Sequence, residues 1–138
     1  MRFDKECTAV RRFIKEMEHM RFMGLVRAAE GQGPPPPEMM EAMGGFIEAS
    51  LKSGSLIQTG GLAPGSAAVH IRQSSGRLSM TDGPFVETKE VVGGYAILEA
   101  PSREAAVEMM RKFMELHERY WPAFEGECEL REMVFVAP

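Results

Sequence analysis

Cysteine is scarce in this sequence: the 138 residues contain only Cys7 and Cys128, which stand near opposite ends of the chain. No Cys-x-x-Cys pair occurs, so the sequence predicts neither a disulfide framework nor a thiolate zinc site, and we expect two reduced thiols. The three histidines, His19, His70 and His117, lack metal-ligand spacing. The glycine pairs match neither Gly-x-Gly-x-x-Gly nor the Walker pattern. We therefore expect no metal and no cofactor.

Long apolar runs and an excess of positive charge are also missing. No run approaches the roughly 18 apolar residues of a membrane-spanning helix, and the first residues, "MRFDKECTAVRRFIKEMEHM", are too charged for a signal peptide. A net charge of -4 argues against a nucleic-acid-binding groove, which needs concentrated Lys and Arg. With 44% hydrophobic and 26% charged residues, the chain suits one compact domain. We expect a cytoplasmic protein that binds neither nucleic acid nor membrane.

Periodic patterns place strands and helices in alternation along the chain. Helical spacing occurs over residues 3–19, in the segment that starts at Pro37 and stops at Gly54, and after the N-cap candidate Ser102. On the last helix the predicted apolar face is Ala106, Met109, Met110, Phe113, Leu116 and Tyr120. Strands are predicted for "MRFMGLVRAAE", "GGYAILEA" and "ECELREMVFVAP". "SLIQTGGLAPG" is predicted to be a short strand that leads into a turn, and "AAVHIRQSSGRLSMT" to be a hairpin.

This order predicts an α+β fold: a ferredoxin-like antiparallel sheet with helices on one face, plus an extra N-terminal helix. Several strands carry apolar residues on both sides, for example Phe22 and Val26 against Met23 and Leu25. An uncovered apolar sheet face favours a partner surface. We therefore predict a homodimer that packs sheet to sheet around a two-fold axis.

Glycine and methionine are unusual within the predicted helices. Gly44 and Gly45 lie inside the first helix after the proline loop, where each costs about 1 kcal/mol relative to alanine. Close packing of the helix on the sheet is the simpler explanation, and close approach of a ligand is the other. The 12 methionines indicate core packing. An adaptable apolar pocket is the alternative, because methionine conforms to irregular shapes.

One group of segments resembles a known family. "GGLAPG", "AVHIR" and "TDGPFVETKEVVGGYAIL", with "MRFMGLVRAAE" before them and "ELREMVFV" after them, are similar to the DGPF proteins of the YCII-related family. The resemblance runs from about Met20 to Val136. It implies a dimeric α/β barrel, usually a homodimer, with a pocket between sheet and helices. It also implies association with an extracytoplasmic-function sigma factor.

The same resemblance divides the chain and limits what can be transferred. Residues 1–19 form a predicted amphipathic extension, native or produced by an upstream start codon, and residues 20–138 form the DGPF domain. Some YCII members line their pocket with a His-Asp pair. Here no histidine stands between the first strand and the following helix, so that pair is not transferred. Asp82 of the DGPF motif can be transferred.

Asp82 has two open interpretations. An aspartate in a turn commonly accepts a hydrogen bond from the N–H two residues on, but that residue is Pro84, which has none. The carboxylate then caps the loop, with Phe85 as a buried anchor, or it serves as an acid or base beside a pocket.

The remaining ligand-binding candidates are Arg27, Glu30, His70, Arg72, Phe85, Glu87, Lys89 and Tyr95. An exposed salt bridge is the alternative for Arg27 and Glu30, and surface or dimer contacts are the alternative for His70, Arg72 and Tyr95. We predict a homodimer that binds an unidentified small molecule, with cofactor-independent enzymatic activity through Asp82 as an open possibility. The alternative function is an interaction or regulatory module for the sigma factor.

Overall fold

The computed structural model describes residues 20–82 and 91–134. The predicted helix over residues 3–19 and the loop that contains Pro84, Phe85, Glu87 and Lys89 lie outside the described residues, so they stay predictions. The elements are β1 (Met20–Ala28), α1 (Pro37–Ser53), β2 (Leu56–Gly61), a 3-10 turn (Gly65–Ala67), β3 (Val69–Ser74), β4 (Arg77–Asp82), β5 (Val91–Ala100), α2 (Arg103–Tyr120) and β6 (Gly126–Glu132).

Four strands form one antiparallel sheet in the order β2-β5-β1-β6. The central strands β1 and β5 pair from Met20 opposite Ala100 to Ala28 opposite Val91, with a register shift after Val26. Leaving out the β3–β4 hairpin, the chain runs strand, helix, strand, strand, helix, strand. The predicted α+β fold with an antiparallel sheet and two helices is confirmed, and the order is consistent with the ferredoxin-like arrangement.

Local chemistry sets the helix ends. Pro37 occupies the first turn of α1, where its missing N–H is not needed, and Gly54 ends the helix in the left-handed region at φ 81°. Ser102 caps α2 by accepting a hydrogen bond from the N–H of Ala105 at 3.1 Å. These three predicted signals are confirmed.

Both helices pack on the same face of the sheet. Phe22, Leu98 and Ala100 of the central strands are buried with Leu56 of β2 and with Ala106 and Met110 of α2. Ile47 of α1 packs against the same cluster. A Cβ atom on Gly24 would lie only 2.9 Å from the Sδ of Met110, so the missing side chain lets α2 approach β1 closely. We call this the covered face of the sheet.

The opposite face, called the open face, carries the alternate residues of the same strands. The register puts Met23 opposite Ile97 and Leu25 opposite Tyr95, and all four are half-buried. Charges of both signs share this face, including the ion pair in which Arg27 Nη2 lies 3.0 Å from Glu129 Oε2. Neither described helix packs here.

The β3–β4 hairpin forms a separate two-stranded sheet. Its turn at Ser75 and Gly76 has positive φ angles of 51° and 75°, as tight two-residue turns require. Every residue of the two strands is exposed. One side carries a row of large apolar side chains, Val69 (51% exposed), Ile71 (66%), Leu78 (73%) and Met80 (71%).

Two expectations about the helices need correction. A Cβ atom on Gly44 or Gly45 would meet nothing within 4 Å among the described residues, so close packing on the sheet does not explain these exposed glycines. On α2 the buried residues are Ala106, Met110 and His117, so the predicted apolar face omitted His117. The predicted Met109, Phe113, Leu116 and Tyr120 are half-buried. Within the part of the chain that the structure describes, neither helix is long and apolar enough to cross a membrane.

Candidate functional site

A cavity of about 360 Å³ lies between the covered face and the two helices. Its sheet side is built from small residues, which leave space above the strands because they project little or no side chain. They are Gly24 and Ala28 of β1, Gly60 and Gly61 of β2, and Gly93, Gly94 and Ala96 of β5. The volume falls in the range of about 300–1,000 Å³ that is typical of small-molecule sites.

The helix side of the cavity is lined by larger, adaptable side chains. These are Met43, Phe46 and Ile47 of α1 and Met109, Met110 and Phe113 of α2. The rings of Phe46 and Phe113 approach to 5.8 Å between centroids. Methionine side chains adjust to irregular shapes, which suits a cavity wall. The alternative interpretation of the methionines, an adaptable apolar pocket, thus gains support beside their core role.

Three ring side chains at the C-terminal end of α2 close one part of the cavity: His117, Trp121 and Phe124, which we call the aromatic end. The His117 ring lies 4.6 Å from that of Phe124 and 6.2 Å from that of Trp121, centroid to centroid. Phe113 meets the same imidazole edge-on at 5.0 Å. His117 is only 6% exposed, so a titratable group is held within an apolar wall.

Hydrogen bonding fixes the proton on this imidazole. His117 Nδ1 lies 3.1 Å from the carbonyl oxygen of Phe113, and a carbonyl only accepts, so Nδ1 carries the hydrogen and donates it. Burial lowers the pKa of His117 below its ordinary value of 6.5, while the bond to Phe113 opposes that shift. His117 is therefore neutral at neutral pH, and Nε2 presents a lone pair.

The cavity wall is uncharged within the described residues. No Asp, Glu, Lys or Arg belongs to the lining. Its residues with polar side-chain atoms are Thr59, Tyr95, His117 and Trp121, and of these the Tyr95 side chain lies on the open face. The Thr59 hydroxyl donates to the carbonyl oxygen of Tyr95 at 2.8 Å. The described residues contain no group of three or more His, Cys, Asp or Glu side chains placed to hold a metal ion.

The structure spreads the residues singled out from the sequence over several places. Tyr95 belongs to the cavity lining, but its hydroxyl accepts from Gln58 Nε2 at 3.1 Å and its ring packs against Gly60, where a Cβ would lie 2.8 Å from Tyr95 Cε1. Arg27 pairs with Glu129 on the open face. Glu30 accepts a hydrogen bond of 2.6 Å from the N–H of Gly65 and so holds the 3-10 turn.

The hairpin candidates lie apart from the cavity lining. His70 and Arg72 occupy the polar side of β3, opposite Thr81 and Ser79. Asp82 is the exposed last residue of β4, opposite Val69. The described lining does not include Asp82. Its proposed roles, and those of Phe85, Glu87 and Lys89, stay predictions.

Sequence reasoning missed His117 and Trp121. His117 enters the sequence analysis only as one of three histidines without metal-ligand spacing. The available signal was that Phe113, His117 and Trp121 recur at four-residue intervals, which puts them on one face of a helix. Phe124 offers no comparable signal because it lies beyond the helix and reaches His117 only through the fold.

Fold and cavity together define the class of this protein: an α+β protein with an antiparallel sheet, two helices on one face and an apolar cavity between the layers. A family model described as the YCII-related domain matches residues 20–115, most of the chain. The chain belongs to the YCII-related family, as its resemblance to DGPF proteins implied. It is also similar to an uncharacterized protein of Rhizobium meliloti (strain 1021), with 34% identity over 61 residues. That match covers 44% of this chain and 49% of the relative, so the chain spans about half of that protein's length.

Proposed function

We propose that this protein binds a small, neutral and largely apolar organic molecule in the cavity between the sheet and the helices. The observation that carries the proposal is the cavity itself: about 360 Å³ with an apolar wall. A charged ligand would lose its hydration without gaining a partner, because no charged side chain belongs to the described lining.

Filling the cavity tests the proposal. Val26 belongs to the lining, and Val107 is 41% exposed on α2, so Val26→Phe and Val107→Phe make the same change inside and outside the cavity. We expect para-bromoanisole, a neutral compound, to raise the melting temperature of the wild type and of Val107→Phe but not of Val26→Phe. At about 100 times its dissociation constant the compound would add about 2.7 kcal/mol of stability. Equal shifts in all three proteins would refute the cavity as the site.

The second part of the proposal is a homodimer formed through the open face. Half-buried Met23, Leu25 and Ile97 supply apolar area there, and charges of both signs permit a self-complementary contact.

Charge insertion tests the dimer. We expect Leu25→Glu to produce monomers in analytical ultracentrifugation, because the carboxylate would be buried at the centre of the contact. Leu51→Glu makes the same change at a position 48% exposed near the end of α1 and is expected to leave the dimer intact. A Leu25→Glu protein that still sediments as a dimer would place the interface elsewhere.

An acid or base role for Asp82 is the enzymatic extension of this proposal. Replacing Asp82 with Asn removes the charge and nearly preserves the shape. Loss of turnover with an unchanged dimer and melting temperature would support catalysis. A lower melting temperature with unchanged compound binding would support the loop-capping role instead.

A second candidate function is an interaction module for an extracytoplasmic-function sigma factor. The observation that favours it is the exposed apolar row of the hairpin, because such rows commonly mark protein contacts. We expect the double variant Ile71→Ser and Met80→Ser to lose capture of the purified sigma factor, and Val26→Phe to retain it. Capture that depends on Val26 and not on the hairpin would contradict this candidate.

A further inference from the structure

The aromatic end of the cavity holds an unused hydrogen-bond acceptor. His117 donates through Nδ1 to the carbonyl oxygen of Phe113, so its neutral ring keeps a lone pair on Nε2. No described residue forms a hydrogen bond with that atom, although the side chain is only 6% exposed. That lone pair is available to a hydrogen-bond donor on a ligand bound in the cavity.

Other groups on the wall are poorly placed for this role. The indole N–H of Trp121 can only donate. The Thr59 hydroxyl donates to the Tyr95 carbonyl and keeps its lone pairs, but Thr59 belongs to an exposed part of edge strand β2, where water can satisfy them. The Tyr95 side chain lies on the open face, where its hydroxyl accepts a hydrogen bond from Gln58. Nε2 of His117 is therefore the best-placed acceptor in the described lining.

The surrounding rings determine what shape of ligand can reach that atom. Phe113, Trp121 and Phe124 all contact the imidazole, so a molecule that approaches Nε2 must lie among aromatic faces and edges. Flat rings pack well in such surroundings, in offset or edge-to-face contacts. A charged group would not be compensated there, because the described lining carries no charge.

We propose that His117 is a specificity-determining residue that selects neutral aromatic ligands bearing one O–H or N–H donor, such as a phenol or an indole, by accepting that hydrogen at Nε2. This inference rests on the proposed function, since it requires that the cavity binds a small molecule. It adds the chemical class of that molecule and the atom that recognises it.

Two compounds of similar size test the inference. Para-bromophenol carries an O–H donor, and para-bromoanisole replaces that hydrogen with a methyl group. We expect wild-type protein to bind para-bromophenol about five-fold more tightly in calorimetric titrations, the gain typical of one neutral hydrogen bond. In His117→Phe the ring remains but the acceptor is lost, and we expect the two affinities to become equal. His117→Gln, whose amide oxygen can accept a hydrogen bond, is expected to restore part of the preference.

A measurement on the wild-type protein tests the inference even if the variants misfold. The ¹⁵N resonance of His117 Nε2 is expected to shift on addition of para-bromophenol and to stay nearly constant with para-bromoanisole. If both compounds bind the wild type equally and neither moves that resonance, the inference is overturned while the proposed function stands. If neither compound binds, or if Val26→Phe binds both as tightly as the wild type, the proposed function fails as well.

Discussion

Leu98 and Leu78 stand in antiparallel strands of the same protein, yet Leu98 is fully buried and Leu78 is 73% exposed. Leu98 lies on the covered face, beneath two helices, whereas Leu78 belongs to a hairpin that no described helix covers. Alternation of apolar residues makes both segments strands. The helices decide which apolar strand face is buried. The two regions should therefore respond very differently to the same mutation.

The largest effect is expected from truncating the two leucines. Leu98→Ala should lower the free energy of unfolding by about 3–5 kcal/mol, because it removes buried area and leaves a void. Leu78→Ala should change it by no more than about 0.5 kcal/mol, because the side chain is mostly in water. Urea denaturation of both variants measures the difference, and similar losses would mean that the hairpin row is buried in solution.

A smaller effect is expected where glycine permits close approach. In Gly126→Ala the new Cβ would lie 2.5 Å from the carbonyl oxygen of Arg27 and 2.6 Å from the Phe124 ring, so we expect a loss of about 1–3 kcal/mol. Gly44→Ala meets nothing within 4 Å in the described structure and should gain about 0.5–1 kcal/mol through helix propensity. Thermal unfolding distinguishes the two signs. A loss in Gly44→Ala would indicate that something packs on that exposed side of α1.

The buried histidine makes the covered face sensitive to acid. Burial lowers the pKa of His117 in the folded protein, so the unfolded chain takes up the proton first as the pH falls below 6.5. The free energy of unfolding should therefore decrease as the pH falls below 6.5. The contribution of His117 to this decrease ends once the pH is below the pKa of His117 in the folded protein. Burial is the larger cause of this shift, and the hydrogen bond to Phe113 opposes it without reversing its sign.

His117→Phe removes that titration. Denaturation at several values between about pH 5 and 8 should show a flatter dependence for the variant than for the wild type. Parallel curves would mean that the histidine is not buried in its neutral form.

The smallest effect is expected at the hairpin turn. Ser75 has a φ angle of 51°, which asparagine adopts more readily than serine, so Ser75→Asn should stabilise the turn slightly. Amide hydrogen exchange should then slow across β3 and β4 while the exchange of β5 and the melting temperature stay unchanged, because the hairpin opens locally. Hairpin amides that exchange as slowly as those of β5 in the wild type would contradict separate opening.

Local rules made much of the fold predictable. Pro37, Gly54, Ser102 and the Ser75–Gly76 turn each determine the conformation of the adjacent backbone. Their effects can therefore be predicted from a few neighbouring residues. The cavity was harder to predict because it arises where glycines of three strands face methionines of two helices, far apart in sequence.

The site residues show the same limit. His117 is buried by Phe124, which follows the helix, and by the layer arrangement, neither of which its own segment reveals. Its four-residue spacing from Phe113 and Trp121 was visible but is equally typical of ordinary core. For Arg27 and Glu30 the sequence offered an exposed salt bridge as the alternative to ligand binding, and Arg27 does form one with Glu129. The partners themselves, Glu129 and Gly65, were not predictable because distant elements supply them.

Trp121 offers the most direct test of the central claim that the cavity binds a small apolar molecule. It is the single tryptophan of the chain and it lines the cavity, so its fluorescence reports occupancy there. Bromine quenches indole emission on close contact. We predict saturable quenching by para-bromoanisole in the wild type and in Val107→Phe, and none in Val26→Phe. Quenching that rises linearly without saturation, or that is the same in all three proteins, would contradict the account.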